Sequence, residues 1–158
     1  MYCKINTFLK SQTIQVIMRL PIQLQGLVFH RTDEQIEFLF LKRNEKRGGF
    51  WQGITGGLEE GETKKEGVLR ELNEETGIKK IKKITETDLM YQFMNDSNQW
   101  LTEYVFIIEL AEKINPEISD EHTEYKWASV EEGIKLFKWE DNKDSLKKVH
   151  TLITKEKR

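Results

Sequence analysis

Cysteine is almost missing from this chain: among 158 residues only Cys3 carries a thiol. That excludes an intramolecular disulfide and a thiolate metal cluster built within one chain, and it suits a reducing compartment such as the cytoplasm. Proline is nearly as scarce, with 2 residues, and no run of about 18 apolar residues exists to span a bilayer. The N-terminus lacks a basic region followed by an apolar core and a small-residue cleavage site, so the expectation is a protein neither bound to membranes nor exported. Excess charge of one sign is also absent, since 25 basic against 27 acidic side chains leave a formal charge of −2. No broad positive field is on offer to a nucleic-acid polymer. Any phosphate the chain handles must be met locally, by a few Lys or Arg or by a divalent cation.

What is present reads as an ordinary globular chain. A hydrophobic content of 37% supports a core, and a charged content of 33% makes a heavily ionised surface rather than a disordered tail. The length predicts one domain, placed at 18–158. Residues 1–17 are a scattered mixture, and Met18 reads as a more natural start. That leader is open between an extra strand, a tail and an upstream start codon. Monomer and homodimer both stay open.

Periodicity predicts the elements. Leu20, Ile22 and Leu24 alternate, then Leu27 and Phe29 follow Gly26, which predicts a strand over 20–30 with a bulge or kink at the glycine. Ile36 to Lys42 completes a hairpin. The stretch from Gly48 to Gly61 holds six glycines and is expected to be loop and short strand. Thr63 and Glu66 have capping-box spacing and Gly77 suits a left-handed cap, so a helix is predicted over 63–76 with Val68, Leu69 and Leu72 on its buried face. Ile81 to Met94, Trp100 to Leu110 and Tyr125 to Ala128 read as strands. Ser129 and Glu132 repeat the capping spacing, and a last helix is expected at 144–154 with Leu146, Val149, Leu152 and Ile153 inward.

The 63–76 helix carries the chemistry. Glu71 and Glu75 stand one turn apart and Glu74 beside them, so three carboxylates share one patch. Like charges so placed destabilise an isolated helix by a few tenths of a kcal/mol per pair unless a counter-charge arrives. Mg²⁺ or Mn²⁺ would supply it, since hard cations prefer carboxylate oxygens, neutralise phosphoryl charge and acidify water. Arg70 lies four residues before Glu74 and can pair with it or lean toward the loop to orient the cluster. The bland reading is a solvated acidic face.

From Gly56 the sequence runs GGLEEGETKKEGVLRELNEETGI. This resembles the Nudix box: Gly56, Glu62, Arg70, Glu71, Leu72, Glu74, Glu75, Gly77 and Ile78 fill all nine specified places without a gap. The resemblance implies an α/β fold, an α/β/α sandwich with a mixed sheet, with a divalent metal held at Glu71, Glu74 and Glu75. It also implies hydrolysis of a nucleoside diphosphate linked to another group, with Glu62 as an auxiliary residue. Beyond the box, Phe50 to Gly57, Glu121-His122 with Tyr125-Lys126-Trp127, and Trp139 are similar to the dihydroneopterin triphosphate pyrophosphatase and dATP pyrophosphohydrolase branch. In that branch a Glu at the Glu121 position completes the metal site, and residues matching Lys42, Arg43 and Thr55 lie near triphosphate and base.

Each candidate has a plainer alternative. Glu121 sits in a polar loop, where a solvated carboxylate is common, and Glu124 or Glu103 stand in for it should it face away. Lys42 and Arg43 end a strand, so they either clamp phosphates or mark a sheet edge. Trp51, with Gly56 and Gly57 on the approach to the helix, is a pocket candidate, although tryptophans more often pack. A lone His122 is more often structural. The expected reaction is attack of cation-activated water on a nucleoside or pterin triphosphate, with Glu74 or another carboxylate as base, releasing pyrophosphate and a monophosphate. The rivals are a broad housekeeping activity on damaged nucleotides, dinucleoside polyphosphates or nucleotide sugars, and a nucleotide-sensing module without chemistry.

Overall fold

The computed structural model describes residues 19–156, so the expected leader lies outside the described residues. The elements are β1 (Arg19–Arg31), β2 (Ile36–Arg43), a short 3-10 turn (Glu45–Arg47), β3 (Trp51–Gln52), β4 (Ile54–Glu59), α1 (Lys64–Thr76), β5 (Lys83–Met94), β6 (Trp100–Leu110), β7 (His122–Ala128), α2 (Val130–Leu136) and α3 (Glu140–Lys155).

The strands form one mixed sheet with β1 near its middle. Along one edge β1 runs parallel to β6, which pairs antiparallel with β5. Its other edge is shared: β4 pairs with the first half, down to Gly26↔Ile54, and β2 takes over from Phe29↔Phe38. The two partners therefore part company just past Gly26, and β3 and β7 pair with β2 beyond that fork.

Both sheet faces are covered, which explains why β1 and β6 are apolar on both sides. Val68 and Leu72 of α1 pack against Leu24, Val28, Ile54 and Phe106. On the other face Leu146, Val149 and Ile153 of α3 meet Leu27, Phe29, Phe38 and Val105. Each such side chain contributes about 1.5–3 kcal/mol by leaving water. The α/β/α sandwich is thus the observed arrangement. No helix among the described residues is long and apolar enough to cross a membrane.

Helix α1 forms where its signals place it. Thr63 accepts from the Glu66 amide at 3.1 Å, and Glu66 accepts from the Thr63 amide at 2.9 Å, which together contribute about 1 kcal/mol. Gly77 closes the helix at φ 71°, a conformation costly for other residues.

Several boundaries differ from expectation. The irregularity in β1 lies between Arg19 and Gln23, not at Gly26. Gly26 is regular backbone over which α1 packs closely, a Cβ there falling 3.1 Å from Val68 Cγ2. β5 begins at Lys83 and β7 at His122, because pairing with β6 and β2 sets their ends rather than local apolar content. α3 starts four residues early, at Glu140, without a side-chain cap from Trp139, and Leu152 is exposed on its outer side.

Candidate active site

The acidic end of α1 faces the fork between β4 and β2. Glu71 and Glu75 are buried, 8% and 3% exposed, while Glu74 turns outward with 56% of its side chain in solvent. The three carboxylates expected on one patch are therefore two inside and one outside. The reason is rotation: Val68, Leu72 and Glu75 centre the buried face, and Glu74 lies about 120° around the helix from Val68.

Glu71 is seated directly on Gly56, where a Cβ would come within 2.0 Å of the Glu71 Cδ. Only glycine leaves room for a carboxylate to lie flat on β4. Glu75 reaches the next residue, and the Thr55 amide donates to its Oε2 at 3.3 Å. The backbone beyond β6 is tied to the same spot, since Ser119 N–H donates to the Glu75 carbonyl and Glu117 N–H to that of Thr76. This brings Glu121, just before β7, close enough for its charge to act on Glu75.

Arg70 pins the assembly from the other side. Its Nη1 lies 2.7 Å from Glu71 Oε1 and 3.3 Å from Glu74 Oε2, and its Nη2 donates to the Gly57 carbonyl at 2.9 Å. Nε and Nη2 bind both oxygens of Glu62 at 3.1 and 2.8 Å. Glu62 also accepts from the Glu59 amide at 2.8 Å. The Arg70 bonds hold the Glu62 carboxyl below its usual range, against the opposing effect of burial. Glu62 is fully engaged as a brace.

Glu75 is in the opposite condition. Burial, then the negative charges of Glu71 and Glu121, push its carboxyl up to about 9, and the Thr55 amide and the Arg43 charge offset only part of this. A carboxyl so raised is protonated at neutral pH unless a cation arrives. Among the described residues no three acidic, His or Cys side chains converge closely enough to enclose an ion as they stand. The arginine accounts for this in part, since Glu71 and Glu74 both lean toward it. The donor chemistry itself, two buried carboxylates a helical turn apart, one of them with raised proton affinity, fits a hard divalent cation.

The remaining candidates divide into two groups. Arg43 joins the centre: its charge is felt at Glu75 and at His122, its guanidinium lies 5.3 Å over Phe50, and its buried Nε has no hydrogen-bond partner. Lys42, on the opposite face of β2 as strand alternation requires, pairs with Glu124 at 3.4 Å. Trp51 lines a separate open groove of about 420 Å³ with Ile118, Thr123, Glu124, Tyr125 and Lys126. Thr55 donates its hydroxyl to Gln52 Oε1 at 3.2 Å, and Gln52 Nε2 meets His122 Nε2 at 3.1 Å. Burial holds the His122 pKa below normal, Arg43 and Arg47 adding to the effect and Glu121 opposing it. Neutral His122 is thus part of the wall.

Glu121 is half-exposed and bonded to Arg47 at 3.0 Å. Its stand-ins from the sequence do not reach the centre: Glu124 is taken by Lys42, and Glu103 points to the face under α3. Gln52 and Arg47 were not singled out by sequence reasoning. Arg47 ends the polar run from Asn44, which gives no pairing signal, whereas Gln52, a polar residue between Trp51 and Gly53, offered a weak one.

Comparison with known proteins agrees with this fold. A family model described as NUDIX domain matches residues 25–149. The dihydroneopterin triphosphate diphosphatase of Haemophilus influenzae is 28% identical over 134 residues, covering 77% of this chain and 84% of that protein. An octanoyltransferase of Myxococcus xanthus is 27% identical over 113 residues, 70% of this chain, and the chain spans only 31% of that relative's length. Among solved structures, a Listeria monocytogenes protein described as a NUDIX hydrolase superposes with a TM-score of 0.76 at 27% identity, covering 87% of this chain and 97% of its own.

Proposed function

The chain belongs to the Nudix family, and from that premise we propose that it hydrolyses a diphosphate linkage in a nucleoside or pterin triphosphate, releasing pyrophosphate and a monophosphate. The observation that carries this reading is the buried pair Glu71 and Glu75, with the Glu75 carboxyl raised by burial and by its acidic neighbours. Burying a carboxylate such as Glu75 costs several kcal/mol without a compensating charge. The fold keeps them where a phosphate chain would enter.

Glu71, Glu75 and Glu74 would hold Mg²⁺ or Mn²⁺, with Glu121 completing the set. Such a cation neutralises charge developing on phosphoryl oxygens and makes water a better nucleophile near neutral pH. Arg70 keeps Glu71 oriented while Glu62 braces the arginine. Arg43, with its buried Nε unpaired, is placed to bind a phosphate oxygen. Thr55, Gly56 and Gly57 let the substrate approach backbone closely, and Glu74, facing solvent, is placed to accept the proton of water. Trp51 lines the outer groove, and Lys42 pairs with Glu124 beside it.

The test is a turnover screen over dATP, the other nucleoside triphosphates, dihydroneopterin triphosphate and ADP-ribose with Mg²⁺. Pyrophosphate release from at least one triphosphate, abolished by EDTA and restored by added Mg²⁺ or Mn²⁺, is expected. Full activity in excess chelator would reject the metal role, and no turnover of any compound would reject the reaction.

A further inference from the structure

The sheet face beneath α2 and α3 is apolar along its middle, with the Arg31–Glu109 ion pair near the end of α3 and a second polar strip at its beginning. Gln23 and Gln25 of β1 and Glu103 of β6 all lie on this face, in line with Leu27 and Val105. Gln25 is 0% exposed, and its Oε1 accepts from the Ser145 hydroxyl at 3.1 Å. Its Nε2 is buried with no hydrogen-bond partner. Glu103 is 4% exposed, and one carboxylate oxygen accepts from Gln23 Nε2 at 2.8 Å. No donor among the described residues meets its other oxygen. An apolar row in these positions would fold more tightly, since each buried polar group left unpaired costs about 1–3 kcal/mol. Their chemistry therefore points to a ligand.

The strip begins at the proposed reaction centre. Gln25 is the register partner of Thr55, whose amide donates to Glu75. Strand spacing and rise put Glu103 about 12 Å from Thr55, two strands across and two residues along. That is the reach of a nucleoside from its phosphates to the far edge of its ring. The first turn of α3, starting beside Trp139, forms the roof.

We infer that Glu103, Gln25 and Gln23 form the ring-reading end of the substrate site and select a 2-amino-4-oxo heterocycle, the edge shared by pterin and guanine, over adenine. The reasoning is complementarity. That edge presents an amino group, a ring N–H and a carbonyl in a row. A carboxylate accepts from the first two in parallel, as it does from a guanidinium, and the unpaired Gln25 Nε2 donates to the third. Adenine presents one amino group and a bare ring nitrogen, whose lone pair would face a carboxylate oxygen.

Two ring N–H donors would favour the ionised form of this carboxyl, which burial alone disfavours. Burial pushes the Glu103 carboxyl up to about 7, the Gln23 amide opposing and the charge of Asp141 adding to it. Tyr91 faces it as well, bonded to Asp144 at 2.7 Å, and Asp144 in turn pairs with Lys148 at 2.8 Å. A donor-rich ring edge is what this acidic corner accepts. The inference rests on the proposed triphosphate substrate and narrows it.

The experiment measures equilibrium binding of α,β-methylene analogues of GTP and ATP with Mg²⁺, alongside turnover of GTP and ATP, in the parent, Glu103→Gln and Gln25→Met. The parent is expected to bind the guanine analogue at least about tenfold more tightly, the scale of one good bidentate pair. Glu103→Gln should bring the two analogues within about threefold, and Gln25→Met should weaken only the guanine analogue. Equal binding by the parent, no binding of either, or an undiminished guanine preference in Glu103→Gln overturns the inference. Discrimination without hydrolysis of any triphosphate would sink the proposed reaction and leave the ring reading standing.

Discussion

Glu62 and Glu75 bracket the same helix and differ in every physical respect. Glu62 has both oxygens bound by Arg70, a third bond from the Glu59 amide, and a lowered pKa. Glu75 is more deeply buried, receives one long amide bond, sits among negative charges, and has its pKa raised to about 9. One carboxylate is compensated by the protein and serves as structure. The other is left in deficit, and a buried deficit is where a cation and a phosphate would be drawn.

The largest effect that sharpens this contrast is on turnover. Glu75→Gln should lower kcat by more than about 100-fold with little loss of stability, the scale of removing a key electrostatic group. Steady-state rates within tenfold of the parent would make Glu75 no different in kind from Glu62. Removing the brace should show the reverse balance. Arg70→Ala leaves Glu62 and Glu71 without their counter-charge and is expected to cost about 3 kcal/mol in urea denaturation, somewhat less for its partial exposure. A midpoint unchanged from the parent would contradict it.

The smallest effect concerns Glu103, a third carboxyl intermediate between the two. Its folded pKa of about 7 lies above the ordinary value of 4.5, so the folded state holds the proton more tightly. Its contribution is fully present below about pH 4.5 and is lost as pH rises through about 7. Glu103→Gln should therefore gain stability relative to the parent across that window and hold a constant advantage above it. Thermal midpoints from pH 4 to 8 measure the difference, and parallel curves would show that Glu103 ionises normally.

Local signals fixed more of this molecule than distant ones. Thr63, Glu66 and Gly77 bound α1 because caps are sequence-adjacent, and Val105 to Ile108 marked β6 because both faces of that strand are covered. The spacing of Gly56, Arg70 and Glu71 carried the core of the site, since a carboxylate seated on glycine needs only a strand, a turn and a helix. What stayed hidden depends on pairing across the chain. The start of β7 at His122 is set by its register with β2, and the Glu121–Arg47 bond joins two loops. The first turn of α3 has no apolar marker because it roofs polar ground around Tyr91 and Gln25. The outward turn of Glu74 follows from which face α1 buries, which its three adjacent acidic positions do not reveal.

The central claim is that Glu75 lacks a compensating positive charge, which a divalent cation would supply, and metal-dependent thermal stability tests it most directly. Melting of the parent and Glu75→Gln at pH 8, in EDTA and in millimolar Mg²⁺ or Mn²⁺, separates the possibilities. The expected result is a parent whose midpoint rises with metal, as binding to the folded state requires, and a variant at least as stable in EDTA that has lost most of that rise. A parent midpoint indifferent to metal, or a variant that keeps the full shift, would contradict it.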